Sequence, residues 1–268
     1  MLEEPDQVAI SASIHASAET ASRGAAENGG RGRRRKRSDW RLGGRSVHKW
    51  DFTVLSVALI AAGLGIVGAT AARRIDAAWG VPVSSLVLWA ALSSAAVYAL
   101  IRARPVGLLR LRSIDVLWGV GLGLLLRALD GWLSSANSTT FPTAATLDGV
   151  LPLDWWWKSV VPAGFLAPLV EEFFFRAVLL VTVYQLLRRS VGIPAAGLTA
   201  LLVSTGTFVL VHAIFDMLPL AGAIQLFAIG AVLSLLVLLT GRIWGAVLVH
   251  VVYNVTYLVL VILGTLLA

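Results

Sequence analysis

The sequence predicts an all-α fold: a polytopic bundle of transmembrane helices, about seven spans within a range of six to eight. Two observations carry this. Apolar residues make up 57% of the chain and charged residues only 14%, against ~25% charged in a soluble domain. The polarity is also unevenly spread. Residues 1–50 are polar, while 51–268 consists mostly of apolar runs near the ~20 residues that cross a bilayer as a helix. In lipid every backbone polar group has to bond within the protein, and runs of this length do so as helices rather than barrel strands.

Residues 1–50 are rich in Ala, Ser, Gly, Glu and Arg and hold little that forms a core, which predicts a disordered, basic, cytoplasmic tail. The polar prefix and the apolar run after it are both too long for a cleaved signal, so the first run reads as a retained anchor. The net charge is +7, and six cations fall between Arg31 and Arg37. Such runs can bind nucleic acid. Ahead of a membrane span, the plainer role is a topology signal or contact with anionic lipid, with no nucleic-acid partner.

Seven spans follow, at about 52–72, 83–101, 114–133, 160–187, 195–215, 221–239 and 243–267. Arg73 and Arg74 close the first, and Arg102 to Arg112 form a basic loop after the second. The third carries Arg127 and Asp130, three apart on one face, a pair expected to close on itself. Gly119 and Gly123 permit close helix contact. The long loop 134–158 ends in Trp155, Trp156 and Trp157, a membrane-interface belt. Gly192-Ile193-Pro194, Pro219 and Thr240-Gly241-Arg242 mark turns. With seven spans the basic loops fall on one side, placing the N-terminus on the cytoplasmic side of a cell membrane and the C-terminus outside. Arg73 and Arg74 stand against that pattern. There is no cysteine, so thiol catalysis, disulfides and Cys-ligated metals are excluded.

Ionisable residues within a span are costly and point to function. Glu171 and Glu172 are followed by three phenylalanines and Arg176. Glu172 and Arg176 are four apart and share a face, so they can pair. Glu171 is rotated about 100° away and stays free, the better candidate for a general base. Pro168, three residues earlier, predicts a kink. His212 lies four residues after Phe208 and four before Asp216, which could fix its tautomer. His250 and Asn254 are four apart on one face of the last span and together could donate to an oxyanion or bind a water. A base, imidazoles and an amide donor converging on one water suggest hydrolysis.

Glu171-Glu172-x-x-x-Arg176, Phe208-x-x-x-His212 and His250-x-x-x-Asn254 resemble, in order, the three motifs of the CAAX-processing and bacteriocin-processing (CPBP) family, which includes the Rce1-type proteases. Ala167-Pro168, Phe175-Arg176 and Thr240 to Trp244 also fit its pattern. Ala177 stands where the family usually has Gly. The resemblance covers about residues 160–260, a catalytic core within the transmembrane domain 51–268. It implies an intramembrane endopeptidase acting on prenylated, CAAX-type or membrane-delivered peptides. Glu171 would activate water with help from His212. His250 and Asn254 would form the oxyanion hole, and Glu172 with Arg176 would hold the site together. It also implies an alternative, a metalloprotease in which Glu171, His212 and His250 hold zinc or another divalent metal. Two other classes compete: a non-catalytic bacteriocin-immunity or scaffold protein, and a transporter with these residues along an ion path. The expected partners are a peptide or protein substrate and the lipid bilayer. The sequence is silent on oligomeric state.

Overall fold

The computed structural model of the chain describes residues 39–42, 45–75, 77–146, 151–216 and 218–267. Among the described residues the fold is all-helical. The long helices are α1 (Phe52–Ala72), α2 (Ala77–Arg102), α3 (Ser113–Leu133), α4 (residues 153–187), α5 (Ile193–Asp216), α6 (Leu220–Thr240) and α7 (Trp244–Leu267). Six of them, all but α4, are regular helices long and apolar enough to cross a membrane. The chain is a multi-pass helical membrane protein.

The α4 helix is the axis of the molecule. Its middle, from Phe174 to Val181, is fully buried, and α1, α2, α5, α6 and α7 all pack against it. It starts at Leu153, not near 160, so the three tryptophans predicted to end a loop lie in its first turns. It is helical through to Leu187 but changes hydrogen-bond register. Three segments, Trp156–Val160, Pro162–Leu166 and Phe173–Leu180, are π-helical. Such wide turns are rare and concentrate at functional sites. The helical run continues through Pro168, because α4 has already left regular α register in the turn before it.

Around this axis the other helices pair by close approach. The α1 and α2 helices pack side by side, as do α5 with α6. The α3 helix lies along α7 through Gly119 and Gly123. A Cβ on Gly119 would come 2.5 Å from the Cβ of Leu248, and one on Gly123 would come 2.8 Å from that of Val252. Without a hydrophobic drive between helices in lipid, such backbone proximity supplies the attraction. Gly119→Leu is therefore expected to destabilise the protein by at least the ~1–3 kcal/mol of an overpacked core, measured by unfolding in detergent. An unchanged midpoint would contradict this contact.

The predicted tail boundary at residue 50 needs correction. Trp40, Val47 and Trp50 are buried. The Trp40 indole donates to the Gly241 carbonyl at 3.0 Å, and the Trp50 indole to Ala99 at 2.7 Å. Each tryptophan brings an apolar body and one donor that needs a partner, and both find them at helix ends. Average composition over fifty residues concealed this segment. Residues 1–38, including the Arg31–Arg37 run, lie outside the described residues.

Arg73, Arg127 and Asp130, charges left over by sequence reasoning, have structural partners. Arg73 donates to the Phe215 carbonyl and lies 4.8 Å over the Phe215 ring, so it ties α1 to the last turn of α5. Arg127 and Asp130 pair as expected, but Arg127 also donates to the Tyr253 carbonyl at 3.0 Å, and the Tyr253 hydroxyl donates to Asp130. A second pair was overlooked: Arg242 meets the buried Asp115 at 2.7 Å. The signal was present, an Asp at the start of an apolar span.

Candidate active site

The site is built where α4, α5 and α7 meet. Glu172 and Arg176, one turn apart on α4, are both completely buried and joined at 2.8 Å. The same carboxylate oxygen, Glu172 Oε1, accepts a second hydrogen bond from His250 Nδ1 on α7 at 2.9 Å. This bond sets the tautomer, since Nδ1 must carry the proton, and turns Nε2 outward. Nε2 faces Glu171 Oε2 at 3.9 Å. Two polar atoms at that separation are too far apart for a direct bond, yet one water at about 2.8 Å from each can bridge them.

Glu171 differs from its neighbour as the helical geometry predicts. Its side chain is 13% exposed against 0% for Glu172, and it makes no bond to Arg176. Its one charged neighbour within 4 Å among the described residues is His250. Two carboxylates and one guanidinium leave the buried cluster one negative charge in excess.

Arg176 is held by more than Glu172. It lies 4.4 Å over the Phe208 ring, and its Nη2 reaches the Gly230 carbonyl at 3.5 Å. Gly230 gave no signal in a glycine-rich chain. A Cβ there would stand 3.1 Å from the guanidinium, so the helix backbone approaches Arg176 only because that side chain is missing. Phe208 also links the two histidines, with ring centroids 4.4 Å from His212 and 6.1 Å from His250.

His212 is oriented differently from the sequence expectation. Its Nδ1 donates to the Phe208 carbonyl at 2.9 Å, one turn back on α5. No contact joins it to Asp216, which is exposed. The backbone carbonyl does the work assigned to the carboxylate: it holds the proton on Nδ1 and leaves Nε2 free to accept. Among the described residues no hydrogen bond or ion pair links His212 to Glu171.

Asn254 is engaged as well. Its Nδ2 donates to the Ala163 carbonyl at 2.8 Å. The π segment explains why that carbonyl is free. Ala167 N–H bonds back five residues to Pro162. The next bond in that series would run from residue 168 to Ala163, and Pro168 has no N–H to give. Asn254 therefore fills a bond that proline removes, pinning α7 to α4 one turn beyond His250. One amide hydrogen remains. Asn254→Leu is expected to cost about 0.6–1.7 kcal/mol, the range of single interhelical hydrogen bonds in a membrane, as read by unfolding in detergent. A loss near zero would mean the Ala163 carbonyl needs no such partner.

The metal alternative fits poorly. Among the described residues no three His, Asp or Glu side chains gather as a ligand set. Glu171 and His250 are neighbours, and His212 completes no ligand set with them, so the metalloprotease expectation finds no support among the described residues.

Residues 153–256 match the family model described as Type II CAAX prenyl endopeptidase Rce1-like. No curated protein and no solved structure matches the chain. The matched segment starts where α4 starts and takes in Glu171, Glu172, Arg176, His212, His250 and Asn254.

Proposed function

With residues 153–256 belonging to the Rce1-like family of Type II CAAX prenyl endopeptidases, we propose that this chain is an intramembrane endopeptidase that hydrolyses peptide bonds with a Glu171-activated water. One observation carries the proposal. Glu172 Oε1 takes both Arg176 and His250, which leaves Glu171 as the unbonded carboxylate beside His250 Nε2. A base must be free to take a proton and close to the groups that hold the water.

In this mechanism Glu171 removes a proton from water as the oxygen adds to the scissile carbonyl carbon. The carbonyl oxygen becomes an oxyanion, stabilised by His250 and by the remaining N–H of Asn254. In this role His250 donates from Nε2, the ring nitrogen that its bond to Glu172 leaves free. His212, with Nε2 open, assists the water or relays its proton. The proton held by Glu171 then passes to the amine nitrogen as the C–N bond breaks, leaving a carboxylic acid and an amine, and the acid's proton passes to the amine to give carboxylate and ammonium.

The substrates of this reading are CAAX-type, prenylated or otherwise membrane-delivered peptides, reached within a cell membrane with the N-terminus in the cytoplasm. The test is incubation of a peptide library with the purified chain in detergent. Wild type should cut at defined bonds, and Glu171→Ala and His212→Ala should lose that cleavage while still folding. Cleavage by Glu171→Ala at the wild-type rate would defeat the proposal. So would a wild type that cuts nothing yet conducts ions in liposomes.

A further inference from the structure

One polar side chain of the bundle has no use in the cluster described above. Gln225 is the single polar side chain between Leu220 and Gly230 of α6, a stretch otherwise apolar. It is half-buried. Among the described residues no hydrogen bond reaches its carboxamide, and neither amide atom is closed off from the surface. Glutamine side chains in a membrane bundle commonly bond across to a neighbouring helix. Among the described residues Gln225 has no such partner.

Two contacts fix its height in the bundle. On one side, the hydroxyls of Thr205 on α5 and Ser234 on α6 lie 3.3 Å apart. These helices follow each other through a short turn and pack antiparallel. Seven residues onward from Thr205 is His212, and nine back from Ser234 is Gln225, so the two differ by about 3 Å of helical rise. On the other side, a Cβ on Gly245 of α7 would lie 3.1 Å from Leu236 of α6. Nine residues onward from Gly245 is Asn254, and eleven back from Leu236 is Gln225, again within about 3 Å of rise. Eleven residues also make about three full turns, so Gln225 leaves α6 on the side that carries Leu236 toward α7. His212, Gln225 and Asn254 stand at one level on three successive helices.

We propose that Gln225 is a substrate-binding residue, whose carboxamide hydrogen-bonds the backbone of the peptide being cut. This assignment rests on the proteolytic reading and adds a specific contact to it. A peptide drawn out over Glu171 loses both its internal helical bonds and its water, and its backbone N–H and C=O groups then need partners from the protein. A carboxamide carries donors and an acceptor together, as a peptide group does. A reachable amide with no bond in the protein, level with His212 and Asn254, supplies them.

The test is steady-state cleavage by the full chain in detergent, on a peptide that wild type cuts, with thermal unfolding of the same preparations. Gln225→Met keeps the length of the side chain and removes its hydrogen bonds. It should raise KM about tenfold, the effect of one hydrogen bond whose loss strands its partner. It should leave kcat and the unfolding midpoint unchanged, since binding alone is lost and no bond within the protein is broken. Gln225→Asn, a second variant should the first not fold, should give an intermediate KM. Replacing the backbone amides of the substrate one at a time by esters should raise KM for wild type at one position where Gln225→Met shows no further rise. A wild-type KM in Gln225→Met would overturn the assignment, as would equal ester effects in both proteins. A midpoint that fell together with activity would make Gln225 a packing residue and overturn it too. A wild type that cuts no peptide at all would defeat the proteolytic reading and this assignment with it, whereas cleavage with an unaltered KM would sink the assignment alone.

Discussion

Arg176→Ala should destabilise the protein by about 3–5 kcal/mol, the loss found when one partner of a buried ion pair is removed. Arg176 and Glu172 are both 0% exposed and lie 2.8 Å apart. Without the guanidinium, Glu172 would remain buried with His250 as its one hydrogen-bond partner, and Glu172 Oε2 already lacks any. The stacking of Arg176 on Phe208 would go as well. The double variant Arg176→Met with Glu172→Leu removes both charges, and should recover much of the loss, because apolar replacement of a whole buried pair is often neutral. Unfolding in detergent measures both. A single variant within 1 kcal/mol of wild type would show that Glu172 finds another partner.

Glu171→Gln should lower kcat by about 10²- to 10⁴-fold, the usual contribution of general acid–base catalysis, and leave stability nearly unchanged. The amide keeps the shape of the side chain but cannot accept a proton. Its effect on folding is small because Glu171 is partly exposed and makes no direct hydrogen bond, its nearest charged partner being 3.9 Å away. The two neighbouring glutamates thus separate by phenotype. Position 171 should govern rate, and position 172 and its arginine should govern stability. Peptide cleavage and thermal unfolding on the same preparations would show the split. A Glu171→Gln protein that lost both together would place this residue in the scaffold.

Much of this architecture is legible in the chain. Apolar runs reveal the spans because lipid forces each run to satisfy its own backbone. The separation of Glu171 from Glu172 follows from helical periodicity, and the pairing of Glu172 with Arg176 from their spacing. What the sequence hides is contact between distant helices. Nothing in the neighbourhood of His250 indicates that Glu172 would take its Nδ1 proton, because that bond joins α4 to α7. Asp216 has the right spacing to orient His212, yet the Phe208 carbonyl does so from within the same turn. The bond of Asn254 to Ala163 depends on a π register that no local pattern announces, although Pro168 explains it afterwards. Gly230 is legible only through the arginine that lies against it.

The relation between Glu171 and His250 can be measured directly by a double-mutant cycle on kcat/KM with Glu171→Gln, His250→Gln and the pair. If both groups act on one bridging water, the double variant should be no slower than the slower single variant, since either change already disables the shared step. Losses that multiply would mean the two side chains act independently, and would contradict a single water held between them.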